Sequence, residues 1–191
     1  MSRVLQRLGI ASTATGFLGG FTGHFIEESL RAEGIKTDFV EVDQDTRINV
    51  KIKSQEETEL NGQGPVISQE QLEDLKTKLS QLTAEDTVVF AGSAPANLGN
   101  AVYKELMPWV RQSGAQAVCD FEGQTLLDAL AFKPLLVKPN NHELEAIFGT
   151  TLTSLDDVET YARCLLEMGA QHVIISMAVS YTHLTLPTSD L

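Results

Sequence analysis

At 191 residues the chain is long enough for one full-sized domain with a sizeable core, and its 42% hydrophobic and 21% charged residues are those of a soluble globular protein. The formal net charge is −12, from 14 basic and 26 acidic residues, which argues against a nucleic-acid partner because such binding needs a basic stripe. No run of about 18 apolar residues offers a membrane span, residues 1–5 carry no signal-peptide core, and the expected location is cytoplasmic. Anionic metabolites stay open as ligands, since a few Lys and Arg suffice for a local positive pocket. Cys119 and Cys164 have no metal-type spacing and read as small core residues in a reducing compartment.

In chain order, residues 2–8 read as the end of a helix stopped at Gly9, and Ile10 to Phe17 as a strand. Gly16, Gly19, Gly20 and Gly23 then lead into a helix over about 23–33 that stops at Gly34. No Gly-Lys-Ser/Thr follows and there is no G-x-G-x-x-G, so these glycines predict tight turning and close packing rather than a phosphate loop. Residues 38–42 and 46–53 read as strands. In the second, Arg47, Asn49, Lys51 and Lys53 alternate with Ile48, Val50 and Ile52, which predicts a sheet with one wet, basic face. Residues 56–65 continue as a polar strand and turn, with Asn61-Gly62 and Gly64-Pro65 as breakers.

From Ser68 the period becomes helical. Ser68 and Gln71 form a capping box, and Leu72, Leu75, Leu79 and Leu82 make one apolar stripe that reads as core. Thr87 to Ala91 is a buried strand, and Gly92-Ser93-Ala94-Pro95 a loop at its carboxyl end. A helix follows over about 98–112, where Pro108 predicts a bend or an early end. Ala115 to Asp120 is a strand, 123–131 a helix, 135–137 a strand and 140–148 a helix. Ser154 caps another helix to Met168, and His172 to Ser176 is one more buried strand. Strand–helix alternation from residue 86 onward means a parallel sheet sandwiched by helices. The alternating segment 38–61 differs in character and reads as a lid over it. In open α/β sheets ligands gather at the carboxyl ends of strands, where the Gly92-Ser93 and Lys138-Asn140 loops both fall.

The stretch Val137-Lys138-Pro139-Asn140-Asn141-His142-Glu143-Leu144 turns a buried strand into a helix start. Free N–H groups, the positive end of the helix dipole and Lys138 together suit an anion. Asn140 and Glu143, three apart, fit two compatible readings: a capping box, or a site where Glu143 holds magnesium through water.

Lys-Pro-Asn-x-x-Glu after a buried strand resembles the Asn-x-x-Glu motif of the ribokinase-like sugar kinases, in their phosphofructokinase B branch. The segments Ser2-Arg3-Val4-Leu5, Thr15-Gly16-Phe17-Leu18-Gly19-Gly20, Thr46-Arg47-Ile48-Asn49-Val50-Lys51-Ile52, Asn61-Gly62-Gln63-Gly64-Pro65 and Gly92-Ser93-Ala94-Pro95 resemble, in the same order, those of the 1-phosphofructokinase and tagatose-6-phosphate kinase group. The fold this implies is α/β: a ribokinase-like three-layer α/β/α sandwich with a mostly parallel sheet, plus the remnant of a small β lid. The implied ligands are ATP, Mg2+ and a sugar phosphate, and the implied reaction is ATP-dependent phosphorylation of a ketose phosphate, fructose 1-phosphate first and tagatose 6-phosphate second. Lid-mediated homodimers belong to the same resemblance, for an intact parent.

Carried over by residue, Arg47 matches the arginine that grips the substrate phosphate, for which a bidentate guanidinium is suited. On its own it reads as a surface arginine. Ser93 matches the small loop residue near the sugar; on its own it is an ST-turn. Lys138, Asn140 and Glu143 match the nucleotide-phosphate side, with Asn140 and Glu143 on magnesium through water. Asp120, at a strand end, reads as a turn or cap residue rather than a base.

The chain also departs from the family. The early strand with its sugar-binding Asp and the Gly-Gly-Lys-Gly-x-Asn stretch are missing. So is Gly-Ala-Gly-Asp, which supplies the oxyanion hole and the Asp that takes the proton. No catalytic residue is therefore assigned, and Asp190 is no substitute. From Ala178 onward Asp190 is the only charged residue and no helical or strand period is readable. Residues 178–191 are expected to be a non-native or disordered tail, after a partial kinase domain over 1–177. The expectation is a fragment of very low turnover. Two other readings are a non-catalytic sugar-phosphate binding module and an unstable remnant with an exposed sheet edge. The missing glycine fingerprint disfavours a Rossmann dehydrogenase.

Overall fold

Backbone glycines and caps set where the elements break, and the computed structural model describes them over residues 1–53, 57–177 and 183–187. The chain divides into two units, Met1–Thr77 with Pro95–Gly99, and Lys78–Ala94 with Asn100–Leu191.

In the first unit, helix α1 (Ser2–Arg7) is followed by strands β1 (Thr13–Ala14) and β2 (Phe17–Gly19) and helix α2 (Gly20–Ala32). One continuous strand over residues 10–17 was expected. Gly16 divides it, because its φ of +140° lies outside what an extended L-residue adopts. The halves pair with different partners, β1 with β3 (Lys36–Thr37) and β2 with β4 (Val40–Val42), both parallel. Helix α2 begins at Gly20, three residues earlier than its period suggests. Its first turn is capped from a distance: the Phe21 N–H donates to Asp45 Oδ1 at 3.0 Å.

Strands β5 (Asn49–Lys53) and β6 (Glu57–Asn61) form a separate two-stranded antiparallel hairpin. Arg47 stands two residues before β5, not on it as the alternation suggested. Of the segment 38–61, only 49–61 forms this hairpin, while Val40–Val42 pairs with β2 and is buried at both valines. The predicted wet face is there, but the opposite face is open as well. Ile48, Val50, Ile52 and Leu60 are all 45–58% exposed, and Val50 pairs with Leu60 across the hairpin. Helix α3 (Gln69–Ser80) follows the predicted capping box: Gln71 N–H donates to Ser68 Oγ at 3.2 Å, and Ser68 N–H to Gln71 Oε1 at 2.9 Å. Its stripe Leu72, Leu75 and Leu79 is buried.

The second unit is built on a five-stranded sheet in the order β11-β10-β9-β8-β7. Strands β7 (Thr87–Phe90), β8 (Gln116–Cys119), β9 (Leu136–Val137) and β10 (His172–Ser176) are parallel, as the alternation predicts. Between them lie α4 (Ala101–Ser113), α5 (Gly123–Leu130), α6 (Asn141–Phe148) and α7 (Leu155–Glu167), each touching the next. Phe90, Ala117, Cys119, Val137, Val173 and Ile175 share one face by register and are all buried. Leu126, Leu130, Leu144 and Leu165 complete that core at 2% exposure or less. Each such side chain contributes about 1.5–3 kcal/mol by leaving water.

Two details differ from expectation. Strand β7, read as buried on both faces, is an end strand of this sheet, with Val89 36% exposed. Helix α4 runs past Pro108 to Ser113 and ends at Gly114 in the left-handed conformation. Fully packed Met107 and Val110 outweigh the local cost of the ring there.

In the tail, His183–Pro187 forms β11 and pairs antiparallel along the whole of β10, from Ser176↔His183 to His172↔Pro187. No strand was expected there. The unpaired edge of β10 supplies backbone partners to whatever chain reaches it, whatever the side-chain period. Residues 178–182 and 188–191, including Asp190, lie outside the described residues.

Candidate functional site

The strand-to-helix turn at 137–143 is held by two buried residues and by a capping box. Val137 and Pro139 are fully buried, so the chain between them cannot drift. Asn140 is extended (φ −87°, ψ 172°) and caps α6. Its Oδ1 accepts the Glu143 N–H at 2.9 Å, its N–H donates to Glu143 Oε2 at 2.9 Å, and its Nδ2 donates to Glu143 Oε1 at 2.7 Å. The structure therefore joins two of the predicted residues directly, through the capping box. Each carboxylate oxygen of Glu143 accepts one hydrogen bond, which leaves lone pairs for a water or a ligand.

Lys138 is not alone. Its Nζ lies 3.1 Å from Asp120 Oδ1, with both side chains about 40% exposed. Asp120, expected as a turn or cap residue, is an ion-pair partner at the neighbouring strand end. An exposed pair of this kind contributes at most about 1 kcal/mol, so a phosphate can compete for the ammonium.

Around this turn lies a groove of about 760 Å3 at the carboxyl ends of the strands. The starts of α4 (Asn100, Ala101), α5 (Glu122 to Thr125) and α6 (Asn140, His142, Glu143) all line it, together with Asp128. Neither α4 nor α5 has a side-chain cap, so their first-turn N–H groups are available to a ligand or water. The charged lining is acidic: Glu122, Asp128 and Glu143, with no Lys or Arg. Helix ends favour an anion while these carboxylates disfavour a bare one. A polyanion that brings its own cation satisfies both. Among the described residues no group of three His, Cys, Asp or Glu is arranged to hold a metal directly. Asn100, Glu122, Thr125, Asp128 and His142 were not anticipated as site residues. The one readable signal was position, at helix starts after buried strands, and Asp128, in the second half of α5, lacked even that.

Ser93 is exposed on the loop after β7, at the same sheet edge, and the Tyr103 hydroxyl donates to Gly92 O at 3.1 Å beside it. Tyr103 packs in turn at a tilt against Phe121, ring centroids 4.3 Å apart, and edge-on against Phe90 at 6.0 Å. Arg47 belongs to the first unit, exposed between Thr46 and β5. Gly64 passes beside it, where a Cβ would lie 3.8 Å from the Arg47 Cβ and Cδ.

The sequence profile of the pfkB family carbohydrate kinases matches residues 1–180. The chain belongs to the pfkB family. Among pfkB proteins, 1-phosphofructokinase of Bacillus subtilis is 47% identical over 178 residues, 93% of this chain and 59% of the relative. D-tagatose-1-phosphate kinase of Bacillus licheniformis is 37% identical over 177 residues, 92% of this chain and 58% of the relative. The structure of Escherichia coli phosphofructokinase-2 in complex with fructose-6-phosphate superposes with a TM-score of 0.89 at 26% identity, over 98% of this chain and 63% of that one. The chain thus spans about three-fifths of the length of these pfkB relatives. The ribokinase-like α/β fold expected from the motifs is the fold of these neighbours. No helix among the described residues is long and apolar enough to cross a membrane.

Proposed function

We propose that the protein takes part in ATP-dependent phosphorylation of a ketose phosphate, with fructose 1-phosphate as the substrate and a tagatose phosphate as the alternative. The observation that carries this is the groove at the strand carboxyl ends, where three helix starts meet an acidic rim beside Lys138. The relationship to 1-phosphofructokinase supports it.

In this reading the first-turn N–H groups of α4 and α5 and the Lys138 ammonium receive the nucleotide phosphates, and offset charge on the transferred group. Asn140 and Glu143 hold magnesium through its water shell, a role the acidic rim and the remaining Glu143 lone pairs fit. Bound magnesium neutralises phosphate charge. Arg47 grips the phosphate already on the sugar, and Ser93 hydrogen-bonds the sugar itself. No residue of this chain is assigned as proton acceptor, since its sequence carries no Gly-Ala-Gly-Asp. Positioning and charge are what these residues contribute, and transfer is a property of the whole protein.

The open apolar face of the β5–β6 hairpin supports a homodimer that covers Ile48, Val50, Ile52 and Leu60 with a second copy. A cytoplasmic location accords with these ligands.

A thermal melt tests the reading, with fructose 1-phosphate, fructose 6-phosphate, tagatose 6-phosphate and Mg-ATP added in turn. A ligand that binds only the folded state raises the midpoint. Fructose 1-phosphate and Mg-ATP are expected to raise it most. A cooperative melt that no sugar phosphate shifts would refute the substrate assignment.

A further inference from the structure

The glycines at 19, 20 and 23 form no phosphate loop, and the structure shows what they do instead. A Cβ on Gly19 would overlap the carbonyl oxygens of Val42 and Gln44, and one on Gly20 would overlap the Asp45 carboxylate. A Cβ on Gly23 would lie 3.1 Å from Thr46 Oγ1. Gly20 also has a φ of +62°. The three positions are therefore shaped to receive the segment 42–46, which runs straight into Arg47.

Thr46 is the centre of that contact. Its Oγ1 accepts the Gly19 N–H at 3.0 Å, and its own N–H donates to Gly19 O at 2.9 Å. Its carbonyl accepts the hydroxyl of buried Thr22 at 2.7 Å. Asp45, one residue earlier, takes the Phe21 N–H. On the far side of Arg47, the Gly62 N–H donates to Ile48 O at 3.1 Å. The backbone on both sides of the arginine is thus hydrogen-bonded, while its side chain stands exposed.

We propose that Thr46 is a positioning residue for Arg47. Its clamp on Gly19 and Thr22 fixes the backbone from which the guanidinium reaches the phosphate of a phosphorylated sugar. The proposal rests on the reading of Arg47 as the phosphate-gripping residue. A preordered backbone lowers the ordering cost of each binding event, so loss of the clamp appears as weaker binding of the phosphorylated ligand. Thr46→Val keeps the branched shape and removes the hydroxyl that receives the Gly19 N–H. Thr46→Ser keeps that acceptor.

Isothermal titration of the chain with fructose 1-phosphate and, separately, with Mg-ATP decides the matter. It compares the unsubstituted protein with Thr46→Val, Thr46→Ser and Arg47→Gln, well below the melting midpoint of each. Thr46→Val is expected to weaken fructose 1-phosphate about tenfold, equivalent to about 1.4 kcal/mol. Thr46→Ser is expected to restore the affinity, and Mg-ATP binding to stay unchanged in both. If Arg47→Gln weakens the sugar phosphate and Thr46→Val does not, the positioning role is wrong while the arginine reading stands. If Thr46→Val weakens Mg-ATP equally, its role is merely structural and the proposal falls. If Arg47→Gln changes nothing, or the unsubstituted chain does not bind the sugar phosphate, the arginine reading itself fails. Amide relaxation then tests the clamp without ligand. The Arg47 order parameter is expected near the rigid value of about 0.85, and in Thr46→Val below about 0.6. An unchanged value would overturn the clamp.

Discussion

Replacing Asn140 and Glu143 separates two jobs that the same atoms perform. Asn140→Ala removes the acceptor for the Glu143 N–H, now at 2.9 Å, and the donor that holds Glu143 Oε1 at 2.7 Å. Loss of a helix N-cap costs about 1 kcal/mol. For a chain of this length that is a fall of about 2–4 °C in the melting midpoint. Asn140→Ser should recover most of it, because a serine hydroxyl caps the same N–H. Glu143→Gln keeps the box, since the glutamine carbonyl still accepts the Asn140 N–H. It loses the favourable charge at the helix start, about 0.3–1 kcal/mol, and the hydrogen bond from Asn140 Nδ2, which an amide nitrogen cannot accept, about 0.5–1.5 kcal/mol more. Its unliganded midpoint should therefore fall by no more than about 10 °C. The nucleotide response should differ sharply. At a concentration 100 times its dissociation constant, Mg-ATP stabilises by about 2.7 kcal/mol, a rise on the order of 5–11 °C. Glu143→Gln should lose most of that rise. Differential scanning calorimetry with and without Mg-ATP measures both quantities. Retention of the full rise in Glu143→Gln would show that the carboxylate only caps α6, and would refute its assignment to the nucleotide side. An unchanged midpoint in Asn140→Ala would refute the energetic account of the cap.

Three further outcomes follow from the same geometry. Burial pushes the Cys119 thiol up to about 12, so a thiol reagent at neutral pH should leave Cys119 untouched until the protein is unfolded; modification of the native protein at Cys119 would refute its placement. Leu165→Ala empties a fully buried position between α7 and the sheet and should destabilise by about 2–5 kcal/mol in urea titration, whereas a loss under about 1 kcal/mol would mean the core is looser than described. Hydrogen bonds from the Thr153 hydroxyl, and then from the Thr153 and Ser154 backbone, hold the Asp157 carboxyl below its ordinary 3.8. The unfolded state then binds the proton more readily, so this contribution is complete above pH 3.8 and disappears as pH falls through the lower folded value. Asp157→Asn should therefore flatten the acid limb of stability against pH, and an unchanged limb would sink the assignment.

Much of this protein was legible along the chain. Alternation of short apolar strands with capped helices from residue 86 onward determines a parallel sheet, because strands buried by helical crossovers carry no polar face. Ser68 with Gln71, Asn140 with Glu143 and Ser154 with Asp157 are caps whose partners lie three residues apart, so local sequence suffices to specify them. The order of six short motifs carried the family, and with it Arg47, Ser93, Lys138, Asn140 and Glu143 as candidates.

Tertiary structure alone decided the rest, and each case involves a partner outside the element's own sequence. The start of α2 is set by Asp45, 24 residues beyond the amide it caps. The glycines at 19, 20 and 23 acquire a purpose only when residues 42–46 are laid against them. Asp120 becomes the partner of Lys138 because β8 and β9 are neighbours in the sheet. The acidic rim is assembled from two helices: Glu143 on α6 was legible from its motif, but Glu122 and Asp128 join it only because α5 is laid beside α6. Strand β11 exists because β10 offers it an edge, not because its residues announce a strand. Periodicity reports which face of an element is buried. It does not report which other element buries it, and a site is made by that second choice.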